Sequence, residues 1–211
     1  MNGTKALYFE EHCRARGQAY LRFDYSGHGA SDGNFEDGTI GSWAQDAIFM
    51  LDNIVRGPAL LVGSSMGGWM AFLVARARPK RIHSLIGIAA APDFTEDIYE
   101  RLPPDLRADL HANGFAAIPN DYSDTPYHFP LAFYEEAKAH HVLNGAALPD
   151  IPMHLFQGGK DLDVLPDTPA RIQAALTDHT ITVSMIDDGD HRLSRPQDLA
   201  LIESQIAAMS A

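Results

Sequence analysis

The sequence predicts an α/β fold, in which a mostly parallel sheet is flanked by helices. Short apolar runs closed by Gly, Asp or Ser are typical of strands that are covered on both faces. Between these runs, apolar residues recur at three- and four-residue spacing, as amphipathic helices require. This alternation of strand and helix indicates a parallel sheet. A chain of 211 residues fits one domain.

Five segments are predicted as strands on these grounds: 19–25, 59–63, 84–91, 153–158 and 181–186. The first four are short and mainly apolar, whereas the fifth alternates more between apolar and polar residues. Helices are predicted between and around them at 4–16, 40–54, 68–77, 167–176 and 196–209. Pro196 suits the first turn of the last helix, because its missing N–H would be unpaired there anyway.

Residues 92–150 interrupt the alternation of strands and helices, and aromatic residues cluster there. We interpret this segment as a cap or lid inserted above the edge of the sheet, since long inserted segments are usually functional. The alternative is a long connection with no functional role.

Charge and composition limit the partners of the protein. A net charge of −12 makes nucleic acid an improbable ligand, because phosphates would be repelled. No apolar run approaches the roughly 20 residues of a membrane helix, and residues 1–17 lack a signal-peptide pattern. The single cysteine, Cys13, excludes an internal disulfide and favours a reducing compartment. We therefore expect a cytoplasmic protein that acts on a small-molecule or acylated-protein substrate.

The stretch LLVGSSMGGWM, residues 60–70, contains the strongest chemical signal. A strand, a G-x-S-x-G turn and a helix together describe a nucleophile elbow, whose tight turn requires small residues two positions before and after the serine. Centring the turn on Ser65 places glycines at both positions, whereas centring it on Ser64 places Val62 and Met66 there. Ser65 is thus the candidate nucleophile.

The N–H of Met66, at the start of the next helix, would then face a developing oxyanion. The alternative is a glycine-rich turn that binds phosphate or only packs closely, but the full phosphate-binding motifs are absent from the sequence.

A serine hydroxyl needs a neighbouring base, and in this arrangement an acid and then a histidine follow from later strands. The loop after 153–158 offers Asp161 and Asp163, and the loop after 181–186 offers His191. No H-E-x-x-H or C-x-x-C motif is present, so we expect neither a metal nor a cofactor.

Several segments resemble the α/β-hydrolase superfamily. The stretch RFDYSGHGASDG (22–33) is similar to a D-x-x-G-x-G-x-S-x-G stretch common there. More narrowly, LVGSSMGGW, FYEEAKAHHVL (133–143) and GDHRLSRPQDL resemble the branch that contains a mitochondrial palmitoyl-protein thioesterase, active also on acyl glucuronides, and its bacterial relatives.

The resemblance implies an α/β-hydrolase fold with Ser65 as nucleophile, Asp161 as acid and His191 as base. Asp161 matches the G-x-x-D-x-x-V spacing, and Asp163 does not. Gln157 stands where the family usually has His, a change that we expect to be tolerated.

The family also has earlier strands and a glycine-containing loop before helix 4–16, and this loop supplies a second oxyanion donor. We therefore expect Met1 to be an internal methionine of a longer protein. The alternative is a shortened hydrolase that uses another donor.

The sequence thus predicts a serine hydrolase that cleaves acyl esters or thioesters through an acyl-enzyme. Two other hypotheses stay open: a non-catalytic or inactive fragment, and a peptidase or C–C bond hydrolase that uses the same three residues.

Overall fold

The computed structural model describes residues 1–118, 127–145 and 147–210. Its helices are α1 (Thr4–Ala15), α2 (Ile40–Asn53), α3 (Met66–Ala77), α4 (Phe94–Arg101), α5 (Pro104–Asn113), α6 (Leu131–Ala137), α7 (Thr168–Ala175) and α8 (Pro196–Met209). Its strands are β1 (Ala59–Ser64), β2 (Ile82–Ile88), β3 (Phe115–Ile118), β4 (Tyr127–Pro130), β5 (Met153–Gly158) and β6 (Ile181–Ile186). No helix within these ranges is long and apolar enough to cross a bilayer.

The main sheet has the order β1-β2-β5-β6, and all of its neighbouring strands are parallel. Parallel neighbours need crossover connections, and helices supply them here: α3 links β1 to β2, and α7 links β5 to β6. The predicted α/β fold with a parallel sheet is confirmed. A separate antiparallel pair, β3 with β4, lies in the segment between β2 and β5.

Successive residues of β2 point to opposite faces of the sheet and divide the core in two. Leu85 packs on one face with residues of α2 and α3, in a cluster that contains Trp43 and Trp69. Ile86 and Ile88 pack on the other face with residues of α1 and α8. The sheet is therefore covered on both sides, which explains why the central strands β2 and β5 bury apolar side chains on both of their faces.

The prediction of a strand at 19–25 is wrong. This segment pairs with no strand among the described residues, and β1 stands at the edge of the main sheet. Both segments line a pocket of about 670 Å³: Tyr20, Leu21 and Phe23 contribute from the first and residues 59–62 from β1. An apolar run indicates burial, but a strand also requires a neighbour to bond, and the part of the chain that the structure describes offers none to this segment.

Two predicted boundaries also shift at the carboxyl edge of the sheet. The segment predicted as strand 84–91 is β2, which ends at Ile88, because Ala89 takes a positive φ of 44° and turns the chain. Helix α3 begins at Met66 rather than at residue 68, directly after Ser65. Both differences reflect tight turns at the end of a strand.

The insertion predicted at 92–150 contains α4, α5, β3, β4 and α6, and residues 119–126 and 146 lie outside the described residues. Its two ends are joined by Asp93, whose side chain is buried. This carboxylate accepts hydrogen bonds from the backbone N–H groups of Val142 and Leu143, both at 2.8 Å. Burial raises the pKa of Asp93, although these two N–H donors oppose the rise. That the insertion acts as a lid stays a prediction.

Candidate active site

Ser65 lies in the turn between β1 and α3, with a backbone φ of 54° and ψ of −123°. A non-glycine residue with a positive φ is strained and persists only when its surroundings hold it. Here the Ser65 N–H donates to the Ile88 carbonyl at 3.0 Å, and the Ser65 carbonyl accepts from Gly68 at 2.8 Å and from Ala91 at 3.1 Å. The end of β2 and the first turn of α3 therefore fix this conformation.

The two glycines that flank the serines have different surroundings. A Cβ at Gly63 would lie 2.2 Å from the Gly67 carbonyl oxygen and 2.7 Å from the Gly68 Cα, so strand and helix approach too closely for any side chain. A Cβ at Gly67 would meet nothing within 4 Å. The sequence argument that both positions must be small is therefore supported at Gly63 and wrong at Gly67.

This difference gives a matched pair of variants. Gly63→Ala is expected to lose most of the ester turnover and to melt at a lower temperature, since overpacking costs about 1–3 kcal/mol and the turn would have to open. Gly67→Ala is expected to keep its turnover, because the added methyl group enters open space and alanine favours a helix by up to about 1 kcal/mol. Thermal unfolding and p-nitrophenyl ester turnover measure both effects. Equal behaviour of the two variants would contradict this account of the turn.

The structure brings the three predicted side chains together. His191 Nε2 lies 3.1 Å from Ser65 Oγ, and His191 Nδ1 lies 2.9 Å from Asp161 Oδ2. The loops after β1, β5 and β6 supply them, so all three come from the carboxyl edge of the parallel sheet, where ligands bind in α/β folds. The hydroxyl can donate to the imidazole while the imidazole donates to the carboxylate, the arrangement that activates a serine.

Asp161 is 2% exposed, and its carboxylate accepts four hydrogen bonds. Oδ2 accepts from His191 and from the Gln157 side-chain amide, and Oδ1 accepts from the backbone N–H groups of Asp163 and Val164, all four at 2.9 Å. Burial alone would raise the pKa of Asp161, but the hydrogen bonds, first of all that from His191, outweigh it and lower the pKa. The carboxylate therefore stays ionised at the neutral and alkaline pH values at which ester turnover is measured.

Asp163 and Met66 lie beside the three residues Ser65, His191 and Asp161, and their side chains take no part in the hydrogen bonds that link these three. Asp163 is exposed, and its backbone N–H rather than its side chain contacts the Asp161 carboxylate. Met66 is the first residue of α3, and the first N–H groups of a helix have no partner within it. An N–H with no helical partner, next to Ser65, suits an oxyanion donor.

Two hydrogen bonds stabilise the loop that carries His191, one within the loop and one from α1. The backbone N–H of the buried Leu193, whose φ is 44°, donates to Asp190 Oδ1 at 2.9 Å. The Lys5 ammonium, from α1, donates to the carbonyl oxygen of Arg192. Sequence reasoning missed Lys5, since no spacing rule connects this residue with the loop that it contacts. It identified Gln157 as a departure from the family, but it did not predict the bond from Gln157 to Asp161.

Comparison with known proteins places the fold in a family. The sequence model of the Alpha/beta hydrolase family matches residues 6–201. The chain belongs to this family. The predicted resemblance is thus confirmed, and the alpha/beta hydrolase sheet of this chain carries Ser65, Asp161 and His191 at one edge.

Comparison with individual proteins shows which members of this family the chain is similar to. This alpha/beta hydrolase is 37% identical over 204 residues to the human protein named palmitoyl-protein thioesterase ABHD10, mitochondrial; the match covers 96% of the chain and 66% of the human protein, slightly less than two thirds of its length. The structure of alpha/beta hydrolase domain-containing protein 10 from mouse matches 99% of the chain and 84% of its own, with a TM-score of 0.91 and 35% identity. A putative hydrolase from Agrobacterium vitis S4 matches 99% and 83%, with a TM-score of 0.88 and 40% identity.

Proposed function

We propose that the chain is a serine hydrolase that cleaves acyl esters or thioesters through an acyl-enzyme on Ser65. The observation that carries this proposal is the continuous contact from Ser65 Oγ through His191 to the buried Asp161 carboxylate. The names of the relatives, a thioesterase and a hydrolase, support the same class of reaction.

In the first half of the reaction, His191 Nε2 takes the Ser65 proton as Oγ attacks the acyl carbonyl carbon. The carbonyl electron pair moves onto oxygen, and the Met66 N–H donates to this oxyanion. Asp161 accepts from Nδ1 and stabilises the imidazolium. The intermediate collapses when the imidazolium gives its proton to the departing alcohol or thiol.

In the second half, water loses a proton to His191 and attacks the acyl-serine carbonyl. Collapse of the second tetrahedral intermediate releases the carboxylic acid and returns the proton to Ser65 Oγ. Every proton step uses His191, so the cycle needs no external acid or base.

Acylated proteins are the proposed substrates, because the human relative is named for palmitoyl-protein cleavage. Cys13 is buried and unpaired, which fits a reducing compartment. Cytoplasm stays our prediction, although the human relative is named mitochondrial.

The test combines covalent labelling with turnover. A fluorophosphonate probe is expected to modify Ser65, since only an activated serine reacts, and p-nitrophenyl acyl esters and an S-acyl peptide should be hydrolysed. A chain that takes no label and turns over none of these substrates would support the non-catalytic hypothesis. Labelling with cleavage of peptide or C–C bonds alone would support the other hydrolase chemistry.

Activity is expected to be unchanged by a chelator. Within the described ranges, one group of side chains could hold a metal ion: Asp161, Asp163 and His191, whose ligand atoms lie within 4.8 Å of one another. However, Asp161 accepts four hydrogen bonds, and both His191 ring nitrogens have partners, so a bound ion would displace the contacts described above. Ester turnover with and without EDTA tests this. Activity that disappears with EDTA and returns with zinc would contradict the serine mechanism.

A further inference from the structure

Gln157 is a buried polar residue near the end of β5, and its side chain contacts the turn 161–164, which contains Asp161. It is 1% exposed. Its amide Nε2 donates to Asp161 Oδ2 at 2.9 Å and to the Val164 carbonyl oxygen at 3.0 Å. One amide group therefore joins the first and last residues of the turn 161–164 to the strand that precedes it.

The two oxygens of Asp161 are held differently. Oδ1 accepts from two backbone N–H groups, whereas both donors to Oδ2, His191 and Gln157, are side chains. Oδ2 is the oxygen that faces His191. Without the Gln157 amide, Oδ2 would keep His191 as its side-chain donor. The position of Oδ2 would then depend on His191, which is the residue that Asp161 has to orient.

We propose that Gln157 is a positioning residue, which acts through Asp161 to keep His191 aligned on Ser65. This inference rests on the proposed function above. A neutral amide suits the task, because it donates a hydrogen bond to the carboxylate without adding a charge beside His191.

Gln157→Met tests the donor, because methionine has a similar length and no N–H. With active sites counted by fluorophosphonate labelling, kcat per labelled serine is expected to fall about 10- to 100-fold, the range for a lost hydrogen bond to a charged group. KM should stay nearly constant, because the substitution changes the alignment of His191 on Ser65 and not the binding of substrate.

Gln173→Met is the matched control. The Gln173 amide also donates to a backbone carbonyl, that of Ile181 at 3.0 Å, but it is exposed and lies on α7. This variant should keep the kcat and pH profile of the original chain. A Gln157→Met variant with the kcat of the original chain would overturn the inference while the proposed function stands. A parent chain that neither labels nor turns over ester would overturn both.

Gln157→Glu covers the case in which the methionine variant does not fold. A protonated carboxyl at this position donates its O–H to Asp161, but an ionised one cannot donate and repels the neighbouring carboxylate. The rate of this variant relative to that of the parent chain should therefore fall as the pH rises. A constant ratio across the neutral and alkaline range would overturn the inference.

Discussion

Replacing Ser65 by alanine is expected to abolish ester turnover, by about 10⁶-fold, the scale on which removal of the nucleophile acts in other serine enzymes. The reason is geometric: the Ser65 hydroxyl lies 3.1 Å from the imidazole, and its strained backbone directs it there. The fold should be little affected, so labelling by a fluorophosphonate should disappear while the melting temperature stays close to that of the original chain.

Ser64→Ala is the control for this experiment. Ser64 is the last residue of β1, one position before the strained turn, and it has the same side chain. We expect this variant to keep most of its turnover and its label. Comparable losses from both substitutions would mean that the nucleophile has been assigned to the wrong serine.

Removing the base or the acid is expected to have the next largest effects. His191→Ala should lose nearly as much turnover as Ser65→Ala. When residues act as one unit, removing one of them can cost about as much as removing all of them. Asp161→Asn should lower kcat by about 10⁴-fold, since an amide at this position favours the wrong imidazole tautomer. The measurement is kcat per folded chain, with folding checked by circular dichroism.

Asp163→Asn is the matched control for the acid. It makes the same chemical change two residues away, at an exposed side chain, and it leaves the backbone N–H that donates to Asp161 in place. The expected loss is therefore small. If Asp163→Asn were the more damaging variant, the acid would have been assigned to the wrong carboxylate.

Local patterns were sufficient to predict the four strands of the main sheet and the loops that carry the candidate site. The helices α1, α2, α7 and α8 end within a residue or so of the predicted bounds, and β5 and β6 coincide with them. Ser65, His191 and the pair Asp161 and Asp163 could be identified because each follows a strand, and parallel strands end at one edge. The resemblance to the α/β-hydrolase superfamily then implied Asp161 rather than Asp163. Their catalytic roles stay predictions.

Features that depend on long-range packing could not be predicted. The segment 19–25 has the composition of a strand, but pairing requires a neighbour, which a local pattern does not contain. The open space beside Gly67 likewise depends on how residues far away in the sequence pack around this helix. Gln157 was noted as a departure that would be tolerated, and the sequence does not indicate that its amide meets the Asp161 carboxylate.

The bonds from Asp93 to Val142 and Leu143 have a consequence for how the segment between these residues could change in length. They close a loop that runs from residue 94 to residue 141, and the entropy of closing a loop grows only with the logarithm of its length, by about 0.6 kcal/mol for each doubling. Insertions, deletions or exchanges within the loop therefore have little effect on the free energy of closure. The segment can therefore vary in length while the bonds from Asp93 keep its two ends together.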